Sequence, residues 1–533
     1  MKITFYGADK EVTGSCHCVQ VNDKKILIDC GLQQGQDEKD NANLPFHAGE
    51  LDYVIVTHAH IDHSGRLPLL IKNGFRGKIY ATKATCDLLS IMLLDSAHIQ
   101  EVDAVNANRK GKRAGRNMAE PLYTVEDAQK TLQYLVPYSY GEMIEPASGI
   151  RFSFTDAGHL LGSASVEMWL TEKNVTKKIV FSGDIGNCNQ PIIRDPQYIK
   201  KADYVVMEST YGDREHDKMV EYTPELAAII DRTLSGGGNL VIPSFAVGRT
   251  QELLYFIREI KEKGLVKSNP DFPVYVDSPL AAKATGIYSG DLTGYADEET
   301  VEVIKKGFEP LRFPNLNICE TVEESKALND DQKPKVIISS SGMCEAGRIR
   351  HHLKYNLWRG ECAVLFVGFQ ANGTLGRILI DGADRVKLFG EEIAVKAHIY
   401  NFRALSGHAD KTGLLRWITA FEQKPQRVFI VHGEAEAAAN FSDCLTQMGY
   451  HTYVPNFEAV FDLVADTEVE SGIEPTTLEA ARQRTHKFST AFARLMAAGQ
   501  RLITVIQHNE GGANKDLAKF ADQINAICNK WDR

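Results

Sequence analysis

Short runs of apolar residues recur along the chain, and each ends abruptly in a polar residue that a protein core would not accommodate. The runs and the polar residues that follow them are 52–57 before His58, 178–182 before Gly183 and Asp184, 203–207 before Glu208, and 427–431 before His432. Nearly continuous Val and Ile runs are typical of strands that are buried on both faces. Functional groups of open α/β sheets collect at the carboxyl ends of such strands. The pattern therefore predicts a functional site formed by several strand ends.

Between residue 208 and about residue 393 the pattern changes to a regular alternation of strands and helices. The apolar runs that predict strands here are 239–245, 273–277, 335–339 and 363–368. Apolar residues at helical spacing predict a helix over 250–263, which ends at Gly264. This alternation is typical of a Rossmann-like layer. Because polar strand ends resume at His408 and His432, we interpret the segment as an insertion into the first domain.

An acidic, turn-rich stretch near 465–475 separates a C-terminal tail, in which apolar residues keep helical spacing. At about 150 residues per domain, 533 residues suggest three or four units, or a large domain with an insertion. We predict an α/β protein with the following organisation. Residues 1–207 form the first part of the main domain, 208–393 the insertion, 394–460 the second part of the main domain, and 465–533 a small helical tail of unknown role.

Composition and charge narrow the classes of function. Hydrophobic residues make up 43% and charged residues 24% of the chain, which is typical of a globular protein. The net charge of −10 makes the chain a poor general binder of polyanions, so a nucleic-acid role has to rest on a local site. We find no apolar run long enough to span a membrane and no signal peptide. The ten cysteines contain no CxxC pair, which favours reduced thiols and a cytoplasmic location.

The sharpest chemical feature is the HxHxDH turn after the run 52–57. It presents His58, His60, Asp62 and His63 within six residues. Side chains two apart in an extended segment point the same way, so the first two histidines can bind one metal. The next two ligands, on the turn that follows, can face a second metal. A mixture of imidazole and carboxylate ligands is typical of zinc sites. The alternative interpretation of this motif is a solvated, histidine-rich loop that binds no metal.

Two further candidate ligands lie at other strand ends. His159 lies in the segment 156–163, and Asp184 ends the segment 181–184. Taken alone, each is more typical of a satisfied polar residue or a turn former than of a metal ligand. Together they complete the ligand count, because one zinc needs three or four ligands and two zincs can share a carboxylate.

These motifs resemble those of a known family. Asp29, the HxHxDH run, His159 and Asp184 look like the sequence motifs of the metallo-β-lactamase superfamily, in order and spacing. Glu208, His408 and His432 resemble motifs A, B and C of its β-CASP branch, which contains RNA-processing nucleases such as the endonuclease subunit of the cleavage and polyadenylation machinery. The resemblance covers about residues 1–455. It implies a four-layer αββα sandwich with an inserted Rossmann-like β-CASP domain.

The resemblance also implies a site with two Zn²⁺ ions per chain. The implied ligands are His58, His60 and His159 for the first ion, Asp62, His63 and His432 for the second, and Asp184 between them, with Asp29 orienting ligands by hydrogen bonds. The implied reaction is hydrolysis of RNA phosphodiester bonds by a water that the metals deprotonate, leaving 5′-phosphate and 3′-hydroxyl ends. His408 is the candidate general acid, Glu208 is the carboxylate that holds it, and Asp62 belongs to the same catalytic set.

The interpretation that follows is a zinc-dependent endoribonuclease acting on single-stranded RNA. Arg249, Ser341 and Arg377 are candidate phosphate contacts, expected in loops that face the cleft between the domains. The basic run 109–116 is either a solvated loop or an electrostatic guide for single strands. A 5′-exoribonuclease, a DNA nuclease, a hydrolase of small esters or thioesters, and a catalytically dead RNA-binding subunit are the alternatives. The sequence leaves a homodimer open.

Overall fold

The structure is a computed structural model of the chain. It describes residues 1–34, 41–113, 118–217, 222–371, 373–402, 406–474 and 513–531, with a few isolated positions between 495 and 509. Most of the predicted tail and the second half of the basic run 109–116 therefore lie outside the described residues.

Two mixed sheets form the centre of the main domain. The first sheet has eight strands in the order β23-β22-β1-β2-β3-β4-β5-β6. Its strands are β1 (Lys2–Phe5), β2 (His17–Val21), β3 (Lys24–Ile28), β4 (Tyr53–Ile55), β5 (Lys78–Thr82), β6 (Leu135–Tyr138), β22 (Val460–Asp462) and β23 (Thr467–Glu470). β3, β4, β5 and β6 are parallel neighbours, as the apolar run before His58 predicts.

The second sheet has seven strands in the order β21-β20-β11-β10-β9-β8-β7. Its strands are β7 (Ile144–Ala147), β8 (Ile150–Asp156), β9 (Ala164–Glu172), β10 (Val175–Phe181), β11 (Tyr204–Glu208), β20 (Arg427–Val431) and β21 (Thr452–Tyr453). β11 lies between β10 and β20, parallel to both, and all five of its residues are buried. Burial on both faces explains why this run is continuously apolar.

The two sheets pack face to face, and helices cover their outer faces. Side chains from both sheets form one apolar cluster, which includes Ile3, Phe5, Val19, Phe152, Val166 and Phe429. The helices of the first sheet are α1 (Ile61–Ser64), α2 (Leu67–Lys72), α3 (Lys83–Arg113) and α4 (Val125–Leu132), and those of the second are α12 (Lys411–Thr419) and α13 (Ala435–Gln447). The predicted four-layer αββα sandwich is confirmed.

The insertion is a third sheet of six parallel strands in the order β14-β13-β15-β12-β16-β19. Its strands are β12 (Leu240–Pro243), β13 (Val274–Asp277), β14 (Leu316–Ile318), β15 (Val336–Ser339), β16 (Ala363–Phe366) and β19 (His398–Asn401), and a separate hairpin joins β17 (Arg385–Leu388) and β18 (Glu391–Ala394). Its helices are α5 (Tyr222–Ser235), α6 (Arg249–Glu262), α7 (Pro279–Tyr288), α8 (Glu298–Lys305), α9 (Val322–Asp330), α10 (Ile349–Asn356) and α11 (Leu375–Ile380). This is the predicted Rossmann-like layer.

Two domain limits differ from the sequence-based prediction. β19 pairs with β16 of the third sheet, so the insertion continues to Asn401 instead of ending at 393. β22 pairs with β1 and with β23, so the main domain continues to Glu470 instead of ending at 460. β19 and β23 are edge strands in which no residue is buried, so no continuous apolar run marks these two limits in the sequence.

The tail and the basic run are described only in part. A helix, α14 (Asn514–Trp531), confirms the helical spacing of the tail, and none of its residues is buried. The start of the basic run belongs to the end of α3 and is helical, which differs from the predicted loop. None of the helices in the described ranges combines the length and the apolar composition that a membrane span requires.

Candidate metal centre

The candidate ligands converge where strands of the two central sheets end. The HxHxDH turn follows β4 and leads into α1, while Asp184 and His432 follow β10 and β20 of the second sheet. Asp29 and His432 adopt the left-handed backbone conformation, with φ of 59° and 49°. This conformation costs a non-glycine residue about 1–3 kcal/mol, and residues that keep it cluster at functional sites.

The first group of ligand atoms comprises His58, His60, His159 and Asp184, whose donor atoms all lie within 4.8 Å of one another. Nδ1 of His60 is 3.1 Å from Nε2 of His58 and 3.1 Å from Nε2 of His159. Burial lowers the pKa of His60 to about 3 and also lowers the pKa of His58 and of His159. Neutral imidazoles with converging nitrogen atoms are the form that binds a metal.

The second group comprises Asp62, His63 and His432, again with donor atoms within 4.8 Å. The Nε2 atoms of His63 and His432 are 3.1 Å apart, and Oδ2 of Asp62 is 3.6 Å from Nε2 of His432. Burial raises the pKa of Asp62, but the neighbouring histidines outweigh it and hold the pKa below its ordinary value. This carboxylate is therefore ionised and available as a ligand.

Asp184 joins the two groups. Its Oδ2 is 3.3 Å from Nε2 of His58, and its Oδ1 is 3.2 Å from Nε2 of His63. Oδ1 is buried and has no hydrogen-bond donor among the described residues. Leaving a buried carboxylate oxygen without a donor is costly. A pair of cations, one on each side of this carboxylate, would satisfy both oxygens, so the donor set fits a two-metal site.

Hydrogen bonds behind the ligands orient their rings. His63 donates from Nδ1 to Oδ2 of Asp29 at 2.7 Å, and Asp29 also accepts from the backbone and the hydroxyl of Thr57 at 2.8 Å. His159 donates from Nδ1 to the carbonyl of Gly407 at 3.0 Å. Nδ1 of His432 lies 3.1 Å from the hydroxyl of Thr210. Each bond turns Nε2 toward the cluster. Of these hydrogen-bond partners only Asp29 is recognisable in the sequence, because the others belong to no motif.

His408 and Glu208 lie beside the first group. Nδ1 of His408 is 3.2 Å from Oε2 of Glu208, and Nε2 is 3.9 Å from Oδ2 of Asp184. Glu208 is almost fully buried, whereas the His408 side chain is 22% exposed. Burial alone would lower the pKa of His408, but the charges of Glu208 and Asp184 outweigh it and raise the pKa to about 9. His408 is therefore protonated near neutral pH and has an accessible edge.

Comparison with known proteins identifies the family. Residues 18–205 match the model of the metallo-beta-lactamase superfamily domain, 250–379 the Beta-Casp domain, and 392–455 the Zn-dependent metallo-hydrolase RNA specificity domain. The chain is 37% identical over 458 residues to ribonuclease TTHA0252 of Thermus thermophilus. The aligned region covers 86% of this chain and 99% of that protein. The chain belongs to the β-CASP family of the metallo-β-lactamase superfamily. It is a metal-dependent hydrolase.

Archaeal members of the β-CASP family are also similar to this chain. Transcription termination factor FttA of Methanocaldococcus jannaschii is 30% identical over 474 residues, which are 86% of this chain and 71% of that protein. FttA of Pyrococcus abyssi is 30% identical over 477 residues, with 86% and 70% covered. The three family models end by residue 455, so they leave the tail unmatched.

The structure shows two histidines whose roles the sequence analysis did not foresee. His216 donates from Nε2 to the carbonyl of His408 at 2.9 Å, and its backbone donates to Asp410. This β-CASP enzyme thus holds the His408 loop from the segment that follows Glu208. His352 is fully buried and its Nε2 lies 2.6 Å from Oδ2 of Asp277, while its neighbour His351 is exposed.

The predicted phosphate contacts lie in different settings from those expected. Arg249 is the first residue of α6, is mostly buried, and forms an ion pair with Glu252. Arg377 lies within α11 and pairs with Asp381 at 2.9 Å. Ser341 alone lies in a loop, the one after β15. Both arginines are therefore on helices, and each already has a carboxylate partner. Their contact with RNA stays a prediction.

Proposed function

We propose that this β-CASP enzyme is a zinc-dependent ribonuclease that cuts single-stranded RNA internally and leaves 5′-phosphate and 3′-hydroxyl ends. The observation that carries the proposal is the position of His408. Its accessible imidazolium lies beside a carboxylate that joins two groups of metal ligands. A site with a proton donor at its edge suits a reaction whose leaving group is a poorly stabilised alkoxide.

We assign one Zn²⁺ to His58, His60 and His159, a second to Asp62, His63 and His432, and a shared position to Asp184. When bound, two such ions lower the pKa of a water molecule and neutralise charge on the phosphate. Asp29 holds His63 in the tautomer that presents Nε2 to the site. These ligands do not discriminate between RNA and a smaller ester.

His408 provides the proton in the proposed reaction. As the bond between phosphorus and the 3′ oxygen breaks, Nε2–H of His408 donates its proton to that oxygen, which leaves as a hydroxyl. Glu208 accepts from Nδ1 and stabilises the charged ring before the transfer. Asp184 lies on the other side of the ring and contributes to the same stabilisation.

Several observations support RNA as the substrate. One relative is named a ribonuclease, others are named transcription termination factors, and the third family model is described as an RNA specificity domain. The six-stranded insertion is larger than a small ester requires. The seven predicted ligands all belong to clusters of side chains that could hold a metal ion, which supports an active enzyme over a catalytically dead subunit. The cytoplasmic location and the homodimer stay predictions.

Metal removal has a defined expected outcome. Dialysis against EDTA should abolish hydrolysis, and about two equivalents of Zn²⁺ per chain should restore it, because two of the three groups of possible ligands among the described residues contain two or more histidines. Zn²⁺ should also raise the Tm of the stripped protein, since a ligand that binds only the folded state stabilises it. Elemental analysis of the purified protein provides the stoichiometry. Restoration by a single equivalent would contradict the two-metal site.

Product analysis tests the proposed reaction. A 5′-labelled and a 3′-labelled single-stranded RNA, with a DNA of the same sequence, should show internal cuts in the RNA. Asp62→Ala and His63→Ala should abolish them. Single nucleotides released from the 5′ end would indicate a 5′-exoribonuclease. Equal cleavage of DNA would indicate a general nuclease, and hydrolysis of small esters alone would exclude a nuclease.

A further inference from the structure

Two phenylalanines are exposed at the carboxyl edge of the six-stranded sheet. Phe245 follows β12 and is 47% exposed, and Phe369 follows β16 and is 49% exposed. β12 and β16 are neighbouring strands, so the two loops leave the same edge of the sheet. The metal centre does not use either side chain. Contiguous exposed apolar surface marks interaction sites, whereas singly exposed apolar residues are common on protein surfaces.

The Phe245 ring packs against Gly342, in the loop after β15. A Cβ at Gly342 would lie 3.2 Å from Cδ2 and Cε2 of the ring, so a side chain at this position would crowd the ring and require it to shift by a few tenths of an ångström. The Phe245 carbonyl accepts a hydrogen bond from the hydroxyl of Thr250 at 2.7 Å, which holds the backbone. One face of the ring is therefore supported by protein and the remaining surface is accessible.

Phe369 is tied to the same support. Nε2 of Gln370 lies 3.0 Å from the carbonyl of Gly342 and 3.0 Å from the carbonyl of Phe369. The amide of Gln370 thereby links the loop under the Phe245 ring to the loop that carries Phe369. Phe245 and Phe369 therefore lie on loops that hydrogen bonds join into one unit. These loops follow three adjacent strands, β15, β12 and β16.

This unit adjoins the metal centre. The loop that begins at Phe245 reaches Gly248, where a Cβ would lie 3.1 Å from Cδ1 of Leu160. Leu160 directly follows the candidate ligand His159. The loop of Phe245 in the insertion therefore packs against the loop of His159 in the main domain. The rings therefore belong to a unit that is in contact with a loop of the metal centre.

The charges nearby do not favour binding through phosphates alone. The chain carries a net charge of −10, and the guanidinium groups of Arg249 and Arg377 are paired with carboxylates. Stacking on aromatic side chains contributes about 1–3 kcal/mol per base and tolerates any sequence, because every base has a π face. Exposed rings on the unit that adjoins the metal centre can therefore supply affinity that the charges do not.

We propose that Phe245 and Phe369 form a base-stacking site, which holds unpaired nucleotides next to the scissile phosphate. This inference rests on the proposed ribonuclease function and names the part of the RNA that the enzyme grips. Stacking uses the bases and leaves the phosphate free to enter the metal centre. It also selects single strands, because the faces of paired bases are already covered by their neighbours.

Steady-state kinetics on a single-stranded RNA tests the proposal. Phe245→Ala and Phe369→Ala should each raise KM by about 5- to 150-fold, which is the range that the stacking of one base provides. Phe245→Trp should restore a KM close to that of the wild type. Phe308→Ala is the matched control, because Phe308 is 58% exposed in the same insertion beyond α8, and its KM should not change. Metal content and Tm confirm that each variant is folded.

RNA substrates with an abasic residue at each position around the cleavage site separate stacking from a structural effect. With a base missing at the stacked position, the wild type should lose affinity, and the penalty of Phe245→Ala should disappear. An unchanged KM for both alanine variants, or an equal penalty on every abasic substrate, would overturn the inference while the ribonuclease function stands. A wild type that cleaves no RNA would overturn the proposed function, and this inference with it.

Discussion

Replacing His408 with alanine is expected to slow RNA hydrolysis by about 10²- to 10⁴-fold, the usual contribution of a general acid, while both metals stay bound. His408 lies outside the groups of His58 and His63. In the third group of possible ligands it is the only histidine, beside Asp184 and Glu208, and its Nδ1 is occupied by Glu208. The loss should therefore appear in kcat, with metal content measured on the same preparation. His398→Ala is the matched control, because His398 is exposed on an edge strand.

Two further readouts decide whether His408 acts as the acid. The activity of the wild type should fall as the pH rises through the pKa of His408, because only the protonated ring can donate. Glu208→Gln removes a charge that raises this pKa, so the alkaline limb of the pH profile should move to lower pH. Loss of a metal from the His408→Ala protein, or an unchanged alkaline limb, would assign His408 a ligand or structural role.

Replacing Asp184 with asparagine is expected to lower activity by about 10³-fold or more and to reduce the bound metal. The two carboxylate oxygens of Asp184 face different ligand groups, and an amide presents only one oxygen with little charge. Metals contribute several kcal/mol of charge stabilisation to such reactions, and each 1.36 kcal/mol is about tenfold in rate. Elemental analysis and RNA cleavage measured together test the expectation.

The controls for Asp184 separate its role at the metals from general stability. Asp443→Asn changes an exposed carboxylate on α13 and should leave metal content and activity unchanged. The Asp184→Asn protein should unfold at a temperature close to that of the metal-stripped wild type, because Zn²⁺ no longer stabilises it. A variant that retains both metals and full activity would exclude Asp184 as the shared ligand.

The sequence determined the strand framework and the identity of the candidate ligands. Strands that are buried on both faces consist of continuous apolar runs, so the sequence predicts β11 and β20 directly. The polar residues that end these runs are identified as candidate ligands because they differ from the apolar residues before them. The HxHxDH turn places its ligands by local geometry alone. The family resemblance then assigned residues that are far apart in the sequence, such as His60 and His432, to one metal centre. The fold prediction succeeded because burial constrains residue type at each of these positions.

Only the tertiary structure decided the features that depend on contacts between distant, chemically ordinary residues. β19 belongs to the insertion through pairing at an exposed edge, which imposes no apolar pattern. Arg249, a predicted phosphate contact whose role stays a prediction, lies at the start of a helix and is paired with Glu252, which the sequence did not indicate. Phe245 looks like any core phenylalanine in the sequence, and its exposure beside Gly342 and Leu160 follows from the packing of two domains. The local sequence pattern indicates whether a residue is buried in a strand or helix. Which distant residues it contacts is determined by the tertiary fold.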